Sequence, residues 1–243
     1  MSKEPELVNR VYIDGDVLAY RASFSANRKP VEVAFEKVDD LMKFIVDRTL
    51  VFSTGNDYEV YLTGSGNFRH EVAVTHPYKG NRKDGVKPAH LPEVRDYIVE
   101  AHRGEVIEGQ EADDQMAIEA SKGPPDSTVI ASIDKDMLQV PCWHFNFGKN
   151  EFHYSTPEYG TKFFYTQLLT GDATDNIMGL WRVGPAKASK ILGDSTDELE
   201  LYQKVLDAYD GDAERVLENA RLLWLRRYEG QMWEPPTERK KDT

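Results

Sequence analysis

The sequence predicts an α/β fold, a mainly parallel sheet flanked by helices, followed by a helical C-terminal subdomain. Three observations lead there. Short β-rich runs alternate with segments of helical spacing through the first part of the 243-residue chain, the order that builds a parallel sheet. From about residue 157 the strand-like runs stop and helical spacing takes over. Acidic residues recur directly after the apolar runs, where open α/β sheets form their ligand sites. The expected division is residues 1–156 as an α/β domain carrying a carboxylate site and residues 157–243 as a helical subdomain with its tail.

The elements follow in order. Residues 10–13 (RVYI) form a short strand ending at Asp14. Residues 33–51 have helical spacing, with Phe35, Val38, Leu41, Met42, Ile45 and Val46 on one stripe. Residues 58–62 (YEVYL) form a strand closed by Gly64. Residues 91–102 are helical after Pro88 and Pro92, and 105–107 form a short strand. Residues 112–121 place Ala112, Met116, Ala117 and Ala120 on one helical stripe. Residues 128–133 (TVIASI) form a strand ending at Asp134, and 143–147 another. Beyond residue 157, helical spacing covers 159–169, 186–192, 199–209 and 213–226. The tail, PPTERKKDT, reads as frayed.

Composition narrows the function class. Hydrophobic residues make up 40% and charged residues 30%, the balance of a globular rather than a disordered chain. No apolar run approaches the roughly 20 residues of a membrane span. The N-terminal MSKEPELVNR lacks the apolar core of a secretory signal. A single cysteine, Cys142, excludes an intramolecular disulfide framework. A cytoplasmic protein with no membrane partner is expected. The net charge of −12, from 42 acidic and 30 basic residues, argues alone against a polyanionic partner. Basic residues are nonetheless grouped: Lys79, Arg82, Lys83 and Lys87; Arg182, Lys187 and Lys190; Arg221, Arg226 and Arg227.

The acidic residues are grouped too. GQEADDQMAIE sets Glu111, Asp113 and Asp114 at the start of a helix. The helix dipole favours each by only about 0.3–1 kcal/mol, too little to hold so many carboxylates together. Asp14, Asp134 and Asp136 follow strands, and Asp172 and Asp175 stand in GDATDN. Taken singly, these are ordinary caps and turns. Taken jointly, at one predicted edge, they suit divalent metal: Mg²⁺ or Mn²⁺ takes hard oxygen ligands, and a pair of ions hydrolyses phosphodiesters. The six scattered histidines and lone cysteine offer no zinc spacing.

Two segments suit phosphate. PYKGNRK surrounds Gly80 with Lys79, Arg82 and Lys83 and offers the Tyr78 ring for base stacking, or is a plain basic loop. GLWRVGPAKASKIL brackets a tight hairpin with Gly179 and Gly184, and Pro185 opens the next helix, whose N-terminal amides can bind phosphate. Lys187 and Lys190 lie three apart on that helix. An ordinary helix–turn–helix connection reads equally well.

In this order, IDGD, YKGNR, EADD, DKD and GDATDNIMG resemble the structure-specific 5′-nuclease superfamily, which includes the flap endonucleases, the 5′-nuclease domain of DNA polymerase I and the bacteriophage 5′–3′ exonucleases. The resemblance covers roughly residues 10–195, with the phage branch most similar. It implies a PIN-like sheet domain and a helix–three-turn–helix motif in the C-terminal subdomain. It also implies roles. Asp14, Glu111 and Asp113 would hold a first metal ion; Asp113, Asp134, Asp136 and Asp172 a second. Asp114 and Asp175 would act through water. Lys79 and Arg82 would touch the scissile phosphate at the base of an arch at about residues 78–92. Gly179, Val183 and Gly184 would bind duplex backbone, around K⁺, near Lys187 and Lys190. One departure stands out. Relatives carry an aspartate at the end of the strand before the FR motif, but LTGSGN has none, so Ser65 or water takes its place or the first ion is weakly held.

The resemblance implies a monomeric, Mg²⁺-dependent 5′–3′ exonuclease or flap endonuclease. It would cut DNA that joins duplex to a 5′ single strand or flap, in phage replication or recombination, in the host cytoplasm if phage-encoded. Two alternatives remain: removal of RNA from RNA–DNA hybrids, and a DNA-binding protein with a degenerate metal site.

Overall fold

The computed structural model describes residues 4–52, 58–82 and 85–237. The chain divides into two compact units. One comprises Met1–Asn67, Gly85–Thr156 and Leu225–Glu229; the other comprises Phe68–Asp84, Pro157–Trp224 and Gly230–Thr243.

The first unit is built on a six-stranded sheet in the order β3-β2-β1-β4-β5-β6. Its strands are β1 (Arg10–Asp14), β2 (Tyr58–Thr63), β3 (Glu105–Ile107), β4 (Thr128–Ala131), β5 (Trp143–Asn146) and β6 (Glu151–Tyr154). All pairings are parallel except that of the edge strand β6, which returns antiparallel on β5. The sheet is buried on both faces because successive side chains point opposite ways. Val11, Ile13, Val60, Leu62, Val129 and Ala131 face one apolar cluster, shared with helices α1 (Gly15–Ser25), α2 (Val31–Thr49) and α4 (Leu91–His102). Tyr12, Tyr61 and Ile130 face a second cluster, covered by α5 (Ala112–Ser121).

Helix α1 was not expected from periodicity. Its inward residues are mostly small, Gly15, Ala19 and Ala22 beside Leu18, so no apolar stripe marks it. Gly15 is required by packing: a Cβ there would meet the Tyr61 carbonyl oxygen at 2.6 Å. Helix α2 matches its predicted stripe, with Val38, Leu41, Met42 and Ile45 buried.

The second unit gathers α6 (Pro157–Thr170), α7 (Pro185–Leu192), α8 (Glu198–Ala208) and α9 (Ala213–Leu223) around an apolar core. It also holds the short α3 (Arg69–Val72) and a ribbon of β7 (Gly171–Asp172) and β8 (Ile177–Met178), where no strand was expected.

A single cut at residue 156 does not describe the units. Residues 68–84 belong to the helical one because the buried Arg69 caps α9: its Nε donates to the Leu222 carbonyl at 2.8 Å and its guanidinium to that of Trp224 at 2.9 Å. Leu225–Glu229 belong to the sheet unit because Leu225 joins the α5-side core and Arg227 donates to the Gln139 carbonyl at 2.8 Å. These bonds also end α9 at Leu223, short of the expected 226.

Candidate metal centre and nucleic-acid interface

The carboxyl edge of the parallel sheet collects Asp14, Asp134 and the EADD block, while Asp172 and Asp175 lie in the helical unit. Asp14 closes β1 and caps α1, accepting from the Val17 amide at 2.9 Å. Its other oxygen accepts from the Ser132 hydroxyl, at 2.6 Å, just past β4. That hydroxyl accepts in turn from the Asp134 amide at 2.9 Å. Asp14 and Asp134 are thus joined through one serine. Asp134 caps a single 3₁₀ turn, accepting from the Asp136 amide at 2.8 Å, and Asp136 pairs with Lys135 at 2.8 Å.

The EADD block reaches the same edge through β2. The Thr63 hydroxyl at the end of β2 accepts from the Ala112 amide at 2.9 Å. Glu111 and Asp114 form a capping box at the start of α5, each side chain accepting from the other's backbone amide. Asp114 is fully buried, and its remaining oxygen accepts from the Arg226 amide at 3.2 Å. It therefore braces the helix from within, while Asp113, in the first turn, is half-buried.

Sequence reading passed over Asp16, the second acid of IDGD. Its carboxylate accepts from the Thr63 amide at 2.9 Å and pairs with Arg95 of α4. An acid thus stands by the end of β2 after all, supplied by α1 rather than by the strand. The spacing of two from Asp14 was the available signal. Ser65, the expected substitute, is exposed and donates to Glu108 at 2.6 Å.

Burial pushes the Asp14 carboxyl up to about 7, against the pull of its Ser132 and Val17 bonds and with a further push from Asp16 and Asp134. A buried carboxyl beside two others holds its proton unless a cation compensates. The donor set, all carboxylate and hydroxyl oxygen, suits Mg²⁺ or Mn²⁺. Among the described residues, no three His, Cys, Asp or Glu side chains converge as the ligands of one ion. Asp14, Glu111 and Asp134 are turned instead to backbone amides at their caps.

In the helical unit the PYKGNR and GDATDN loops are stapled together. The Lys79 amide donates to the Asp175 carbonyl at 2.9 Å, Asn81 to that of Ala173 at 2.6 Å, and Arg82 to that of Thr174 at 3.2 Å. Asp175 binds the Arg82 guanidinium at 2.5 Å and stands 3.8 Å from Lys79 Nζ. Asp172 folds its own loop, accepting from the Thr174 amide at 2.7 Å. Asp175 thus positions the basic pair.

Tyr78 does not offer its ring for base stacking. It is 4% exposed, packs in the helical core, and donates its hydroxyl to Asp175 at 2.7 Å. Arg226 and Arg227 do not form a nucleic-acid patch either. Arg226 donates to Gln110 at 2.8 Å, and the partly buried Arg227 donates to the Leu225 and Gln139 carbonyls, with desolvation lowering its pKa to about 10. Lys83 lies outside the described residues.

The glycine hairpin is tight. A Cβ on Gly179 would lie 2.3 Å from the Gly171 nitrogen, and Gly171 itself has φ +69°. The Leu180 amide donates to the Leu169 carbonyl at 2.9 Å and the Val183 amide to that of Leu180 at 3.1 Å. Val183 is buried, so only its backbone is placed for a ligand. Gly184 precedes Pro185 at the start of α7, which carries Lys187 and Lys190 exposed.

No protein-family model matches the chain. A curated 5′–3′ exonuclease of Mycoplasma pneumoniae is 27% identical over 212 residues, covering 76% of this chain and 71% of that protein. Bacteriophage T5 5′-exonuclease, solved with divalent zinc ions bound, superposes with a TM-score of 0.66 at 21% identity, over 88% of this chain and 89% of that one. The T5 flap endonuclease, solved as a pseudo-enzyme–product complex with DNA and metal ions, gives 0.64 at 19% identity, over 88% of each chain. The chain thus shares the fold of the T5 5′-exonuclease and flap endonuclease structures, and in sequence it is similar to a 5′–3′ exonuclease.

Proposed function

We propose that the chain is a divalent-metal-dependent 5′-nuclease that hydrolyses DNA phosphodiester bonds. The observation that carries the reading is the gathering of Asp14, Asp134 and the Glu111–Asp114 cap at the carboxyl edge of neighbouring parallel strands, with Asp14 fully buried among other acids. Asp14, Glu111, Asp113, Asp134 and Asp136 would hold the ions, and the resemblance assigns Asp172 to the second. Bound Mg²⁺ or Mn²⁺ would lower the pKa of the attacking water and stabilise the leaving oxygen. The chain's own groups do the rest. Ser132 orients Asp14. Lys79 and Arg82, held by Asp175, neutralise phosphate charge. The Gly179–Gly184 backbone, by the same resemblance around K⁺, and Lys187 and Lys190 grip duplex backbone without reading bases. A monomer acting on DNA with a 5′ single strand or flap, in phage replication or recombination and in the cytoplasm, completes the proposal. No helix among the described residues is long and apolar enough to cross a membrane.

A second reading, a non-catalytic DNA-binding protein, is favoured by one observation: β2 ends in Thr63 with no acid of its own, and the nearby Asp16 is engaged by Arg95 and the Thr63 amide. The test is cleavage of 5′-labelled single-stranded, nicked, flap and RNA–DNA hybrid substrates, with Mg²⁺ and with EDTA. The nuclease reading expects metal-dependent cleavage that Asp134→Ala abolishes while DNA binding persists. Full activity of Asp134→Ala, or of the parent in excess EDTA, would overturn it. Binding without cleavage of any substrate would establish the second reading.

A further inference from the structure

Trp181 is 82% exposed at the tip of the hairpin turn, while Trp143 and Trp233 are buried. Single exposed apolar residues are common on soluble proteins, so exposure alone carries nothing. The setting is what sets this indole apart. The Val183 amide closes a turn onto the Leu180 carbonyl, which makes Trp181 and Arg182 its two central residues. Leu180 packs against the helical core and Val183 lies within it, so the turn is anchored on both sides and the indole is held outward on a fixed frame.

Arg182 adopts φ +56°, the left-handed region that favours glycine or asparagine. Its guanidinium lies 5.4 Å from the centre of the Trp181 ring. The strained conformation therefore carries a cation beside an exposed ring, and Lys187 and Lys190 follow, exposed, on α7. An apolar plane flanked by three cations complements a polyanion that has apolar faces of its own. Nucleic acid is that polymer: its phosphates meet the cations, and its sugars and bases meet the ring.

We propose that Trp181 makes a salt-independent, sequence-independent contact with duplex DNA, next to the phosphate contacts of Arg182, Lys187 and Lys190. The inference rests on the nuclease reading, in which this hairpin grips duplex backbone, and adds a contact that the glycine and lysine pattern does not supply. Phosphate neutralisation makes affinity fall with salt, by about 0.9 in log–log slope per contact on B-DNA. An indole against sugar and base carries no charge, so its removal lowers affinity equally at every salt concentration. Aromatic stacking on an unpaired base is worth roughly tenfold in affinity or more, which sets the scale from above for a ring laid against duplex sugar and base edge.

The experiment is a salt titration of affinity for a mixed-sequence duplex with a 5′ overhang, on the Asp134→Ala background. Trp181→Ala should give a line parallel to the parent's and lower by up to roughly tenfold, with Trp181→Phe between the two. Lys187→Ala/Lys190→Ala should instead give a flatter line. DNA should quench the parent's tryptophan emission, and Trp181→Ala should lose most of that change because Trp143 and Trp233 are buried and Trp224 is packed against the helical core. A Trp181→Ala line lying on the parent's, or an undiminished emission change in that variant, overturns the Trp181 assignment and leaves the nuclease reading standing. An equal loss on purely single-stranded DNA also overturns it, pointing to stacking on unpaired bases. Failure of the parent to bind any DNA overturns both readings.

Discussion

Replacing Asp14 by asparagine tests whether the acidic edge is built for a cation. In the metal-free protein, burial raises the Asp14 carboxyl from 3.8 to about 7. Below pH 3.8 the group is protonated folded and unfolded alike, and it opposes folding least. Between there and pH 7 the unfolded chain releases the proton while the folded chain keeps it, so stability falls as pH rises. At about 1.4 kcal/mol per unit, roughly three units amount to about 4 kcal/mol at neutral pH. The Asp14→Asn variant carries no such penalty. Its amide oxygen still accepts from the Val17 amide, but the side chain cannot also accept from Ser132, whose hydroxyl binds the Asp134 amide; that loss costs about 1 kcal/mol. In EDTA the variant should therefore be less stable than the parent near pH 4 and about 2–3 kcal/mol more stable near pH 8. Burial also depresses buried His144 to about 4, which removes stability as pH falls below 6.5. Both proteins share that effect, so the difference between them isolates Asp14. Mg²⁺ at pH 8 should then stabilise the parent far more than the variant. The measurement is urea unfolding at both pH values, with EDTA and with Mg²⁺. A difference between variant and parent that does not change with pH would refute the reasoning.

Other outcomes follow from the helical unit. Lys79→Ala should lower single-turnover cleavage by about 10²–10³ while affinity changes little, as for a preorganised group acting on developing charge; a fall in affinity alone would make Lys79 a surface contact. Arg69→Ala should destabilise by more than about 2 kcal/mol, because it empties a buried site and leaves the Leu222 and Trp224 carbonyls without their donor; urea unfolding showing under about 1 kcal/mol would contradict the capping role. Lys187→Ala/Lys190→Ala should flatten the salt dependence of duplex binding by about 0.9 per lost contact, and an unchanged slope would make α7 a structural connection only.

The sequence by itself determined the fold class and the edge at which the acids gather. The short β-rich runs RVYI and TVIASI and the wide stripe of α2 are local patterns. A strand that must be buried on both faces leaves its carboxyl end as the place for Asp14 and Asp134. Helix α1 escaped because its buried face is largely glycine and alanine, which periodicity cannot distinguish from a loop. Roles set by partners distant in the chain were also beyond reach. Tyr78 looked like a stacking ring until Asp175, 97 positions away, took its hydroxyl. Arg226 and Arg227 looked like a basic patch until Gln110 and the Gln139 carbonyl took their donors. Asp16 gained its place beside β2 only through Arg95 and the Thr63 amide. Composition and spacing state which groups carry charge or a ring. Whether such a group faces water, a core or a counter-charge depends on contacts that close only when distant segments pack together, and tertiary structure alone decides it.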